Sequence, residues 1–353
     1  MSGLIVAVLG GGRWARALCA TLAQNSRRAP ERVAGVLHYR PPREDAAGPP
    51  GDEPLAGAAA DGSAPSGATP PATRLTELGV QSVQLGDLGR ADLLILAVPA
   101  ATVRAVLTAA SPYLTGAQFL VHAIGSLTPA AGPDQRVTLI SHVVRHLTPI
   151  RRIGALAGPA LAPDLEESRP AALICGSRFA EVGQAVIQAL AGPALRMYTT
   201  ADLIGVEVAR AGASCIAMAS GIADALQLGI AVRAILIARG AAEMARLGVA
   251  LGGNKETFFG LAGVGELVVA TELHGSADFE LGRLLGQGLS LSEAQRQVGR
   301  VCDGPSMVEK AYALCQHEKL RMPLCGALHR FIAGDHDQKG ILAQLFGSEN
   351  HSE

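Results

Sequence analysis

Excess charge, sulfur and aromatic rings are all scarce in this sequence, and each shortage closes off a class of function. Thirty Lys and Arg balance 31 Asp and Glu for a net charge of −1. No basic excess is left to meet a phosphate backbone, so nucleic acid is not expected as a partner. The six cysteines stand far apart, at Cys19, Cys175, Cys215, Cys302, Cys315 and Cys325. None forms a CxxC or zinc-like pair, a pattern that reads as buried free thiols in a reducing compartment. His142 and His146 are spaced i, i+4, but Pro149 follows closely and no third ligand is evident, so no metal is expected. Aromatic residues make up 3% of the chain, with one tryptophan; the core must rest on small and aliphatic side chains. No basic segment precedes the first apolar run, which argues against a signal peptide. The most apolar later stretch, Ala211 to Ala223, is bracketed by Arg210 and Asp224 and is shorter than the ~18 residues of a membrane span. It reads as a buried helix. The expectation is a soluble, cytoplasmic chain with no membrane partner.

What the chain does have is apolar mass: 49% hydrophobic against 17% charged residues, enough for a large core. Leu4 to Leu9 is a continuous apolar run ending in glycines, the mark of a strand buried on both faces of a parallel sheet. A helical stretch follows from Arg13 to Gln24. Val33 to Leu37 and Leu93 to Val98 read as further strands, with short ones at Phe119 to Val121 and Leu173 to Ile174. Strands alternating with helices predict an α/β class, with an N-terminal doubly wound, Rossmann-type domain over residues 1–197. From Pro41 to Thr73, 22 of 33 residues are Pro, Gly or Ala, which reads as a flexible insertion at about 41–73. After about Thr200 strand patterns give way to Ala- and Leu-rich helical ones. The candidate helices are Val206 to Leu228, Ala231 to Leu247, Leu281 to Leu285, Ser292 to Val298 and Ser306 to Glu318. They define a mainly α-helical domain over 198–335, with a polar tail at 336–353.

Gly10-Gly11-Gly12-Arg13-Trp14-Ala15 fits G-x-G-x-x-A between a buried strand and a helix. Gly10 suits the tight turn, Gly12 lets a pyrophosphate approach the backbone, and Ala15 lets helix pack on strand. A purely structural glycine turn is the alternative. At the end of the second strand stand His38-Tyr39-Arg40, with no acid before Glu44. Arg40 there is either a partner for a 2′-phosphate, which tips the choice between NAD and NADP slightly towards NADP, or a solvated strand-end arginine.

These motifs and their order resemble the NAD(P)-dependent glycerol-3-phosphate dehydrogenase family over nearly the whole chain. The matching pieces run from Val8 to Trp14, then Ala91 to Pro99, Ala157 to Ala162, and Asp202 to Glu207. They continue through Gly221 to Leu226, Ala241 to Met244, Thr257 to Leu267, and Met322-Pro323. The resemblance implies a nucleotide-binding domain, a helical substrate domain, a small-molecule substrate and a homodimer. It also implies cofactor contacts from Gly10, Gly12, Arg13, Trp14, Ala15, Arg40, Pro99, Ala162 and Asp303.

The working groups differ from the family pattern. Ile124 and Ala213 stand where the resemblance expects lysines, and Ser214 replaces an asparagine. Glu266 stands for an aspartate, Asp303 for a glutamate, and Ala277-Asp278 for an Arg-Asn pair that grips a phosphate. Alcohol oxidation by hydride transfer needs a base for the hydroxyl proton, and neither Ala213 nor Ile124 supplies one. His122, Glu266 and Ser214 are the remaining catalytic candidates. His122 is either a proton carrier near the nicotinamide or a histidine bonded within a strand end. Glu207, Glu266 and Asp303 either line an acidic pocket for a cationic or polyol substrate or are ordinary structural acids. Two functions follow as expectations. One is an NAD(P)-dependent oxidoreductase on a small alcohol or ketone other than glycerol 3-phosphate. The other is a catalytically silent NAD(P)-binding sensor or partner protein.

Overall fold

A computed structural model of the chain describes residues 3–41, 75–129, 137–272 and 276–334. The expected insertion, apart from its first residue, and the expected tail lie outside the described residues. Among the described residues there are ten strands: β1 Leu4–Leu9, β2 Val33–Tyr39, β3 Gln81–Ser82, β4 Leu93–Leu96, β5 Phe119–His122, β6 Thr128–Pro129, β7 Val137–Thr138, β8 Arg152–Ala157, β9 Ala171–Gly176 and β10 Leu195–Thr200. Eight of them form one sheet in the order β10-β9-β8-β5-β4-β1-β2-β3, while β6 and β7 make a separate antiparallel pair. Neighbours in the main sheet are parallel except β8 and β9.

The helices are α1 Arg13–Arg28, α2 Val103–Ala110, α3 Ile140–Leu147, α4 Ala162–Glu166, α5 Ala180–Leu190, α6 Leu203–Ala225, α7 Gly229–Ala250, α8 Glu266–Ala270, α9 Ala277–Gly286, α10 Leu291–Val298, α11 Gly304–Glu318 and α12 Pro323–Ile332. Alternate residues of β1 enter two different cores. Val6 and Val8 pack with Leu18, Leu22 and Val182 from α1 and α5. Ala7 and Leu9 pack with Val103, Leu107 and Ile140 from α2 and α3. The sheet is therefore covered by helices on both faces, as the unbroken apolar run of β1 requires.

β1 has the bounds its sequence predicts, and β4 stops at Leu96, two residues short of the predicted end. β8 and β10 were not predicted. β8 carries Arg152 and Gly154, and β10 reads LRMYTT with exposed positions at a sheet edge, so neither has the apolar run that marks a central strand. In the second unit α6 is the axis: 20 of its 23 residues are buried. It is long and apolar enough to cross a membrane, yet 89% of its most apolar window is buried inside the protein. Asp202 starts it, accepting from Gly205 N at 2.9 Å, and also accepts from Asn254 N at 3.0 Å and the Thr257 hydroxyl at 2.6 Å. One carboxylate thus caps α6 and ties it to the chain beyond α7.

Candidate functional site

The dinucleotide turn sits between β1 and α1. Gly10 has φ +155°, and a β-carbon on it would lie 2.2 Å from the Ala97 carbonyl oxygen and 3.1 Å from the Ala15 β-carbon. Its own N–H donates to Tyr39 O at 3.0 Å, and its carbonyl lies 2.7 Å from Nε2 of the buried His38. The turn is held rigidly against both neighbouring strands. At Gly12 the opposite holds: a β-carbon would meet nothing within 4 Å, and the residue begins α1 with no side-chain cap. Open space lies in front of the unsatisfied N–H groups of a helix N-terminus, and a pyrophosphate fits there. Arg13 pairs with Glu166 of α4 at 2.7 Å. Trp14 and Ala162 pack on the same core cluster beside the turn. Arg40 lies across it, since a β-carbon on Gly11 would come 3.0 Å from Arg40 Cγ. Pro99 follows β4, with its carbonyl accepting from the Thr102 hydroxyl at 3.0 Å.

A second cluster lies where the end of β5 meets the helical unit. A β-carbon on Gly125 would be 3.6 Å from Asp303 Oδ2 and 3.9 Å from the Arg210 carbonyl. The Arg210 guanidinium pairs with Glu266, and the other Glu266 oxygen accepts from Gly158 N at 2.6 Å. Burial raises the Glu266 carboxyl, with Arg210 and the Gly158 N–H acting against it. Asp278, at the start of α9, accepts from Gly304 N at 2.7 Å. Burial, reinforced by Asp303, pushes it up to about 7 against the opposing pull of the Gly304 N–H and Arg210. Burial likewise raises Asp303, against Lys310 and Arg210. Lys310 of α11 donates to Leu127 O at 2.8 Å and to the Ser126 hydroxyl at 3.3 Å, and burial lowers its ammonium. The Ser214 hydroxyl donates to Ala211 O at 2.7 Å, with Gly125 O at 3.3 Å.

His122 and Glu207 form a third group, behind this cleft. Their side chains are each 2% exposed, with His122 Nε2 3.1 Å from Glu207 Oε1. The two are within ion-pair distance, and neither ring nitrogen has an aligned hydrogen-bond partner among the described residues. Ser141 of α3 donates to the Glu207 carboxylate through its N–H at 3.0 Å and its hydroxyl at 2.5 Å. Burial alone would raise Glu207, but His122 and the Ser141 bonds outweigh it and hold the carboxyl below its ordinary range.

Tertiary structure therefore sorts the candidates. Gly10, Gly12, Arg13, Trp14, Ala15 and Arg40 gather at one turn. Glu266 and Asp303 both lie near Arg210, and the Ser214 hydroxyl reaches Gly125 O at 3.3 Å beside Asp303. Of the two readings of the acids, the structural one fits Glu207, which is 3% exposed and turned to Ser141 and to the equally buried His122. Sequence reasoning passed over Arg210, Lys310, Ser141 and His38. Arg210 left a trace, as the one cation inside a largely apolar helix, where an ionic side chain must be paired or used, and His38 stood in the strand-end triplet without a role.

Comparison with known proteins is consistent along the chain. Two family models match: the NAD-dependent glycerol-3-phosphate dehydrogenase N-terminus over residues 81–182 and its C-terminus over 202–343. A glycerol-3-phosphate dehydrogenase [NAD(P)+] of Polaromonas naphthalenivorans is 32% identical over 99% of this chain and 98% of its own. That of Variovorax paradoxus is 34% identical over 76% of this chain and 81% of its own. The crystal structure of glycerol-3-phosphate dehydrogenase from Coxiella burnetii matches with a TM-score of 0.81 at 26% identity, over 98% of this chain and 99% of that one.

Proposed function

The chain belongs to the NAD-dependent glycerol-3-phosphate dehydrogenase family and is a glycerol-3-phosphate dehydrogenase-like NAD(P)-dependent oxidoreductase, and from that premise we propose that its substrate is a small alcohol or ketone other than glycerol 3-phosphate. One observation carries the proposal, the charge of the cleft. Three carboxyl groups, Glu266, Asp278 and Asp303, face two cations, Arg210 and Lys310. Ala277, where the resemblance expects a phosphate-gripping arginine, is packed against the apolar core. A phosphate dianion placed beside Asp278 and Asp303 meets repulsion wherever these carboxyls are ionised; at an effective dielectric near 20, one full pair of unit charges at 4 Å amounts to ~4 kcal/mol, and less where Asp278, pushed up to about 7, holds its proton.

The Gly10–Gly12 turn and the N-terminus of α1 would hold the cofactor, with Arg40 beside them. A bound nicotinamide supplies or accepts the hydride. The chain's own part is to hold the substrate and handle its proton. Ile124 and Ala213, 2% and 3% exposed, do neither. Arg210 offers a charged set of N–H donors. Proton exchange falls to Asp278, whose carboxyl burial pushes up to about 7, a donor or acceptor near neutrality, with Asp303, raised in the same direction by burial, beside it. The lost lysine positions favour one other reading, a silent NAD(P)-binding protein.

The test is absorbance at the nicotinamide band with glycerol 3-phosphate and with a panel of neutral alcohols and ketones. Glycerol 3-phosphate should give no measurable turnover; a rate of ~1 s⁻¹ or more would overturn the proposal. Turnover of a neutral compound supports the enzyme, and tight nucleotide binding with no turnover of any compound supports the silent reading. Cofactor choice leans to NADP because Arg40 lies at the turn. Arg40→Ala should weaken NADPH more than NADH, and equal losses would make Arg40 a bystander. The homodimer and cytoplasmic location implied by the resemblance belong to the same proposal; sedimentation and cell fractionation test them.

A further inference from the structure

We propose that Arg210 is the substrate-binding cation of the cleft, its guanidinium donating to the oxygen of a small, uncharged carbonyl or hydroxyl compound. This rests on the oxidoreductase reading and names its substrate class. Arg210 and Ala213 are one turn apart on α6, so they share a helix face, and the longer side chain extends into the region that the resemblance gives to a lysine. The guanidinium is oriented from two directions. Glu266 takes one edge, and Glu266 is itself fixed by the Gly158 N–H at 2.6 Å. The Trp14 ring lies on another side, its centroid 5.9 Å from Arg210 Cζ. The same arginine therefore touches the helical unit and the residue next to the dinucleotide turn.

Two features decide the ligand's chemistry. Nε of Arg210 is buried and has no hydrogen-bond partner among the described residues, although the side chain keeps 24% of its exposure. A buried N–H without an acceptor is a donor in need of one. A neutral oxygen can take that N–H and leave the Glu266 pair intact. An anionic ligand would compete with Glu266 for the guanidinium, and a displaced Glu266 would remain as an unpaired charge in the protein interior. Lys310 offers an anion little relief, because its ammonium is committed to Leu127 O and Ser126. Asp278 and Asp303 oppose a negative ligand further. The cleft thus selects against carboxylates and phosphates while it presents a cationic donor.

The chain has one tryptophan, and it is the one beside Arg210, so tryptophan emission, excited apart from tyrosine, reports on this site alone. NADPH binding is first measured by energy transfer from Trp14 to the reduced nicotinamide. Protein saturated with NADP⁺ is then titrated with dihydroxyacetone, pyruvate or dihydroxyacetone phosphate; the carbonyl cannot be reduced by an oxidised cofactor, and constant absorbance at the nicotinamide band checks that no hydroxyl is oxidised. The expected result is a saturable change in Trp14 emission with dihydroxyacetone, and at least tenfold weaker binding of both anions. Glu266→Gln combined with Arg210→Ala avoids leaving a buried charge. It should weaken dihydroxyacetone at least tenfold while NADPH affinity stays within twofold and the circular dichroism is unchanged. Arg210→Lys, retaining charge but not the planar fork, should fall between the two. If NADPH binds and dihydroxyacetone gives no saturable change, or the anions bind as well, or the double variant binds like the wild type, the role of Arg210 is overturned while the family reading stands. If NADPH itself does not bind, the oxidoreductase reading fails and takes this one with it.

Discussion

At Gly10 a β-carbon would lie 2.2 Å from a backbone oxygen, and at Gly12 it would meet nothing within 4 Å. The two residues of one fingerprint therefore fail in different ways. Gly10→Ala forces a backbone shift between β1 and β4 at a positive φ and should cost about 2–4 kcal/mol in denaturant unfolding. Gly12→Val should leave the unfolding midpoint nearly unchanged and abolish energy transfer from Trp14 to NADPH, because its side chain occupies the pyrophosphate's space. Wild-type NADPH affinity in Gly12→Val would remove the basis of the cofactor site. Asp278 makes a different residue-scale prediction. Its folded-state affinity for a proton, pushed up to about 7, exceeds the ~3.9 of an unfolded aspartate. The folded protein binds more protons across that window, so this group's contribution to stability falls as pH rises from about 4 to about 7, by at most ~1.4 kcal/mol per pH unit. Asp278→Asn keeps an oxygen for the Gly304 N–H and removes the titration. Its melting temperature relative to wild type should rise by about 2 °C or more between pH 5 and pH 8. A constant difference would mean that the carboxyl titrates normally.

Helices α6 and α9 cross through a pair of glycines, one from each. A β-carbon on Gly221 would lie 2.0 Å from Phe279 O, and one on Gly282 would lie 2.0 Å from Met218 O. Both obstacles are backbone atoms, which cannot swing away as a side-chain tip can. The contact places the start of α9, and with it Asp278, against α6, where Arg210 and Ser214 reside. Gly221→Ala and Gly282→Ala should each destabilise by about 1–3 kcal/mol. Each should also change the affinity of the cleft for its ligand, since Asp278 would move with α9; unaltered stability in both variants would show that the helices are not held at this distance. The same crossing explains the composition of the chain: with 3% aromatic residues, the helical core gains density by close backbone approach instead of large rings.

Over the whole molecule, the altered cleft is assembled from β5, α6, α8, α9 and α11, so no single change converts it to the family pattern. Ala213→Lys alone should not yield glycerol 3-phosphate turnover, because the site still lacks a phosphate cation and retains Asp278, with Arg210 occupying the neighbouring volume. Ala213→Lys together with Ala277→Arg, Asp278→Asn and Ile124→Lys is expected to give low but measurable activity at the nicotinamide band. Equal rates from the single and the combined variants would show that the cation–anion balance is not what excludes the phosphate.

The division of labour between sequence and tertiary structure follows from what each kind of interaction needs. A strand buried on both faces must be apolar throughout, and a pyrophosphate turn must have glycine where backbone or ligand comes close. Local sequence therefore determined β1, the Gly10–Gly12 turn, α1, the shift to helices after about Thr200 and the buried character of α6. Strands β8 and β10 escaped because a glycine, an arginine or a sheet edge broke the apolar run. The cleft escaped for a different reason. Arg210, Glu266, Asp278, Asp303 and Lys310 lie on elements far apart in the chain, and the charge each bears on the others depends on separations of a few ångströms that only packing fixes. Sequence set out which ionisable groups the chain owns and that the lysines at Ile124 and Ala213 are missing. Folding decided that His122 and Glu207 are shut away with Ser141, and that a guanidinium from α6 lies over the Trp14 ring beside the dinucleotide turn. Coulomb interactions and hydrogen bonds act through space, and the chain's order along its length does not record them.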